Sequence, residues 1–130
     1  MNTEAEVTHD REPEDGYWNP LAPESADRWH PVSGLEGRAE ELTLHEDPAL
    51  GTYTRLTRFL PGADTTEFGG KSHTYPEQVM ILSGRLYDEA VGRWLTAGDY
   101  VARPPGQWHG PFRTETGCVV LEVSFPGRVR

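Results

Sequence analysis

The sequence holds a single cysteine, Cys118, and a single lysine, Lys71, in 130 residues. One cysteine excludes an intramolecular disulfide and any zinc cluster built on thiolates. No apolar stretch approaches the ~20 residues of a membrane-spanning helix. The N-terminus also lacks the basic-then-apolar order of a secretion signal, so a soluble cytoplasmic protein is expected. Positive charge is scarce: 12 Lys+Arg stand against 21 Asp+Glu, a formal net charge of −9. Nucleic acid and anionic membrane both require clustered positive charge, so neither is an expected partner. A sustained helical period is missing too, which leaves little room for a helical bundle.

What is present is unevenly placed. Residues 1–50 carry 13 acids and three arginines, whereas residues 51–130 carry 8 acids and 9 bases. The length suits one compact domain. Residues 1–35 read as an extended acidic N-terminal arm, rich in proline near its end, and residues 36–130 as the folded domain. Trp18 and Trp29 are large apolar anchors that pin the arm to the domain or meet a partner subunit. A short helix fits Pro23–Arg28.

Beyond Glu40 the chain breaks into short alternating segments. Thr52–Leu60 alternates with period two and ends at Pro61-Gly62. Further strands are expected at Gln78–Leu82, stopped by Ser83-Gly84, and at Arg85–Asp88 and Gly92–Leu95. After a turn at Ala97-Gly98 come Tyr100–Arg103, Trp108–Phe112 and Cys118–Phe125. Turn signals every eight to ten residues predict an all-β sandwich or barrel.

Two of the five histidines sit in patterned surroundings. His73 lies in Lys71-Ser-His73-Thr-Tyr-Pro-Glu77, followed after six residues by Gly84. His109 closes a run of Gly98, five residues, Pro104-Pro-Gly106 and two residues. Here the chain resembles the cupin superfamily, whose first motif reads His-x-His, three or four residues, Glu, six residues, Gly. The second reads Gly, five residues, Pro-x-Gly, two residues, His, three residues, Asn. The segment from Gly84 through residues 117–123 is most similar to the ChrR-type cupins, which include small metal-dependent dioxygenases and cupin parts of anti-sigma factors. The resemblance implies a single-domain double-stranded β-helix, or jelly-roll barrel, and frequent pairing into homodimers.

It further implies that His73, Glu77 and His109 form a metal site inside the barrel. Two imidazoles and a carboxylate suit non-haem Fe(II) or catalytic Zn(II). The chain departs from the pattern in three places. Lys71 occupies the slot of the first histidine, Arg113 replaces the final Asn, and the loop before position 71 is about three residues longer. Tyr75 becomes a ligand candidate only if the Glu spacing is broken.

Residues two apart on a strand share a face, so Lys71 and His73 should point together into the barrel. His109 and Arg113, four apart, should both face inward on a regular strand. An amine ligates a metal only after losing its proton, against an ordinary pKa near ~10.4. Three roles are therefore open to Lys71. It binds a substrate carboxylate or enolate beside a three-ligand metal, it serves as base or nucleophile, or it pairs with Glu77 in a barrel without metal.

Lys71 and Glu77 are the candidate catalytic groups. Lys71, Arg113, Trp108 and Tyr75 are the candidate substrate contacts, with Phe112 and Trp94 as core or pocket wall. Arg55 is a further inward candidate. Cys118 reads as a small buried hydrophobe, and His9, His30 and His45 lack ligand spacing. The functional expectation is a metal-dependent, dioxygenase-like enzyme acting on a small oxygenated or anionic metabolite. Two alternatives stand beside it: a non-oxidative isomerase, cyclase or lyase, and a non-catalytic metal- or ligand-binding sensor.

Overall fold

A computed structural model describes residues 16–126; His9 and the first part of the acidic arm lie outside them. The described residues form eight strands: β1 (His30–Pro31), β2 (Ala39–Asp47), β3 (Thr52–Phe59), β4 (Glu77–Asp88), β5 (Arg93–Thr96), β6 (Tyr100–Arg103), β7 (Phe112–Arg113) and β8 (Cys118–Ser124). Short 3-10 helices cover Pro23–Arg28 and Thr66–Phe68. All pairings are antiparallel, in the order β1-β2-β3-β8-β4-β5, with β6 and β7 also paired to β4. This is the curled, nearly all-β single domain expected of a cupin barrel.

β4 organises the barrel. Its first part pairs with β6 and β8, and its last four residues pair with β5 and β7. The predicted turn at Ser83-Gly84 is instead a bulge within one continuous strand, between Ile81 and Ser83 of the β8 ladder. The shift changes the alternation. Glu77, Val79 and Ile81 are buried before it, and Leu86 and Asp88 after it. A regular strand would have turned Leu86 and Asp88 outward, because one residue of slip reverses every side chain that follows. Gly84 has φ +73°, and a Cβ there would lie 2.0 Å from the carbonyl oxygen of Gly117. Only glycine fits at that point.

The interior is closed by Phe59, Val79, Ile81, Leu86, Leu95 and Val120, with Cys118 among them at 3% exposure. Burial raises the Cys118 thiol to about 12, in keeping with a small hydrophobe. Val32 and Leu35 pack against the same core. On the opposite face of β2 and β3, Leu42 pairs with Leu56. Arg58 points to that side and stacks over Trp29 at 4.2 Å. Trp29 thus pins the arm to the barrel wall, while Trp18 stacks on Arg28 within the arm itself.

The expected strand at Trp108–Phe112 is broken. His109 makes an isolated bridge with Lys71, Gly110 adopts φ +71°, and β7 starts only at Phe112. A positive φ interrupts the alternation on which an inward Arg113 depended.

Gly84→Ala should destabilise the fold by more than about 2 kcal/mol, since the left-handed backbone and the backbone clash add. Gly98→Ala, at φ +94° with open space around its Cβ position, should cost only about 1–2 kcal/mol. Urea denaturation of the two variants checks the difference.

Candidate metal centre and its cavity

The barrel holds an open-mouthed cavity of about 290 Å³. Its wall is apolar along Leu35, Phe59, Ile81, Leu95 and Phe112, and ionic along β3, β4, β6 and β8. His73, Glu77 and His109 border it, each offering a ligand atom within 4.8 Å of the others. Two stretches of chain deliver them. His73 comes from the loop before β4, Glu77 is the first residue of β4, and His109 sits in the loop after β6. Reciprocal backbone bonds fasten the two loops: the Lys71 N–H donates to the His109 carbonyl and the His109 N–H to that of Lys71, both at 2.9 Å.

His73 is half-buried and stacks flat on Tyr75, with ring centroids 4.7 Å apart. Its ring lies 4.8 Å from that of His109. The buried Nδ1 of His109 has no hydrogen-bond partner. Burial, then the positive charges of Arg103 and His73, push the His109 pKa down to about 4. At neutral pH its imidazole is therefore uncharged, the form that binds metals.

Glu77 is 3% exposed and held on both oxygens. The Tyr53 hydroxyl donates to Oε2 at 2.7 Å, and Arg55 approaches the same oxygen at 3.7 Å. Arg103 pairs with Oε1 at 3.5 Å. Arg55 is itself anchored by Glu122 at 2.6 Å, which also accepts from the Thr57 hydroxyl at 3.0 Å. Burial and the bond to Glu77 raise the pKa of the Tyr53 phenol, so it remains a donor at any physiological pH.

These features answer whether the residues fit a divalent transition metal. An orphaned buried nitrogen on the neutral His109 ring, a second imidazole from His73 and the Glu77 carboxylate form a donor set of the right chemistry. They fit.

The other candidates divide. Lys71 borders the cavity, is exposed, and makes no ion pair among the described residues. The pairing of Lys71 with Glu77 is not found, because Tyr53, Arg55 and Arg103 already surround that carboxylate. Arg113 lies outside the cavity wall with its guanidinium 4.1 Å over the Tyr87 ring; the positive φ at Gly110 has turned it away. Trp108 is 61% exposed and also lies outside the wall. Phe112 does line it, whereas Trp94 stacks with Tyr87 away from it.

Arg55 faces inward as the alternation of β3 suggests. Arg103, 7% exposed, went unremarked in the sequence. It carries no motif, and its place at the site follows from pairing in register with Glu77 across β4 and β6.

The depressed His109 pKa gives a signed pH dependence. Its contribution to stability is complete above the unfolded value of 6.5 and is lost as pH falls through about 4. Metal-free protein should lose stability across that window. His109→Gln should bind about one proton fewer there on unfolding, visible as a shallower slope in urea melts run from pH 7 to 4.

A family model for the ChrR cupin-like domain matches residues 21–126. No curated protein matches the chain. Among solved structures, KdgF from Halomonas sp. is 22% identical over 77% of this chain and 86% of its own, with a TM-score of 0.60. An acetylacetone dioxygenase from Acinetobacter johnsonii is 14% identical over 84% of this chain and 73% of its own, with a TM-score of 0.63. The complex of Rhodobacter sphaeroides SigE with the anti-sigma ChrR matches at 21% identity and a TM-score of 0.58, covering 75% of this chain and 48% of that one. At these identities the structural likeness speaks for the fold, and the family match covers most of the sequence. The chain belongs to the ChrR-like cupins.

Proposed function

We propose that the protein is a small metal-dependent enzyme, dioxygenase-like, acting on a small oxygenated or anionic metabolite. The observation that carries this reading is the convergence of His73, Glu77 and His109 on one cavity in the barrel. Iron(II) or zinc(II) bound there supplies Lewis acidity, and iron adds the oxygen chemistry open to a facial triad.

The chain's own residues supply the rest. Tyr53 and Arg103 fix the Glu77 carboxylate, and the apolar side of the wall gives a ligand's carbon skeleton a surface to pack on. Glu41, Glu77 and Glu122 on the cavity wall balance Arg55, Lys71 and Arg103. A divalent cation would tip this balance positive and favour an anionic or dicarbonyl ligand. Lys71 is then the cation left to bind that ligand's oxygen, since the two arginines are engaged with carboxylates. The solved acetylacetone dioxygenase with this fold supports an oxygen-dependent reaction.

A sensing role is the second reading. It is favoured by the fold's occurrence in the anti-sigma ChrR complex, of whose chain this protein spans about half. A homodimer in the cytoplasm is part of the proposal under either reading.

Protein expressed with iron and zinc supplementation should carry close to one transition-metal ion per chain by elemental analysis. His73→Ala and His109→Ala should each lose most of it. Protein loaded with Fe(II) and given acetylacetone as a probe should consume oxygen in an electrode. Metal uptake without oxygen use by any dicarbonyl or keto acid points to the non-oxidative or sensing alternatives. Metal-free protein after supplementation overturns the site.

A further inference from the structure

Asp88 lies at the far end of β4 from Glu77, is 3% exposed, and has no part in the ligand set. Its Oδ1 accepts the backbone N–H of Gly110 at 2.8 Å and that of Ala90 at 3.0 Å. Its Oδ2 pairs with Arg103 Nη2 at 3.6 Å. The other terminal nitrogen of the same guanidinium, Nη1, pairs with Glu77 Oε1 at 3.5 Å. A chain of contacts thus runs from the Glu77 carboxylate through Arg103 and Asp88 to the amide next to His109.

We propose that Asp88 and Arg103 are positioning residues: together they form a strut that sets the distance and orientation of Glu77 relative to His109, and so the affinity and geometry of the metal centre. The inference rests on the metal-dependent reading above and extends it to residues outside the ligand set.

Three physical points support the strut. A guanidinium is a rigid planar fork, so its two arms fix two carboxylates relative to each other in a way a lysine cannot. On its own a cation beside Glu77 would repel a metal ion, and Asp88 on the opposite arm offsets that charge. The Gly110 bond passes the constraint to the His109 loop, which has only an isolated bridge in place of a regular strand. Contacts behind the ligands of a metal site commonly alter affinity by 10–100-fold when removed.

The test measures Zn²⁺ and Co²⁺ dissociation constants for purified full-length protein, together with the visible absorption of the Co²⁺ form at saturation. Asp88→Asn retains an oxygen acceptor for the Gly110 amide and replaces the oxygen facing Arg103 with an NH2 group, removing both the charge and the acceptor there. Arg103→Lys keeps the charge and loses the fork, whereas Arg103→Met loses both. Asp88→Asn and Arg103→Met should each weaken both metals by 10–100-fold and shift the Co²⁺ bands, with Arg103→Lys intermediate. The double variant should be no weaker than the worse single one, because both changes break the same strut.

Arg85→Gln, which breaks an exposed ion pair with Glu115, should match wild type. Should Arg103→Met fail to fold, as loss of a buried partner can cause, the Asn and Lys variants carry the test. Affinities within about twofold of wild type with unchanged Co²⁺ bands overturn the strut while leaving the metal site intact. Additive losses in the double variant overturn the claim that the two residues act as one unit. A wild-type protein that binds neither metal overturns the proposed function, and the strut falls with it.

Discussion

The bend in β4 is the constraint on which the rest depends. Twelve residues of straight strand would separate Glu77 from Asp88 by roughly 36 Å. Instead, one guanidinium reaches both carboxylates, at 3.5 and 3.6 Å. The strand can do this because it leaves one set of partners for another at a bulge, and because Gly84 lets β8 approach where no side chain fits. Bend, bulge and guanidinium require one another. Without the bulge Asp88 would point to solvent, and without the bend it would be out of reach.

The ionic wall of the cavity follows from that geometry. Curling brings Glu77, Glu122, Arg55 and Arg103 from four different strands onto the wall of one cavity. Burying so many charges costs free energy unless each finds a partner. The pairs of Arg55 with Glu122 and Arg103 with Glu77 and Asp88 provide those partners. The apolar remainder of the wall is the inner face of the same core that holds the barrel together, so site and stability share residues. Substitutions in this interior will therefore seldom affect one without the other.

Much of this was legible in the sequence, for identifiable reasons. The motif around His73 and Glu77 and the run ending in His109 gave the fold and the converging trio, because their spacing is fixed by turns that glycine and proline mark. Period-two alternation located β3, and turn signals set off β6 and β8, to within a residue or so. The failures also share a cause. Ser83-Gly84 looks like a turn, but a bulge uses the same residues. Arg113 looked inward by counting four from His109, yet Gly110 leaves the extended conformation between them. Tyr53, Asp88 and Arg103 carry no motif. Their importance arises from strand register, which depends on pairing between distant parts of the chain and is not written locally.

The division of labour among cations was visible as a bare count and acquires meaning from the structure. Arginines lie over aromatic rings throughout the described fold, including Arg28 on Trp18, Arg58 on Trp29, Arg85 on Trp94 and Arg113 on Tyr87. A flat guanidinium stacks well where a lysine ammonium does not. Lys71 stands apart, exposed at the cavity and tied to the fold by its backbone alone. Because it is the chain's only lysine, the protein carries one side-chain amine, and that amine lies beside the candidate metal centre. Acylating or fluorescent reagents directed at amines would therefore place one side-chain label at the cavity, beside any label on the α-amine, without any engineering of the sequence.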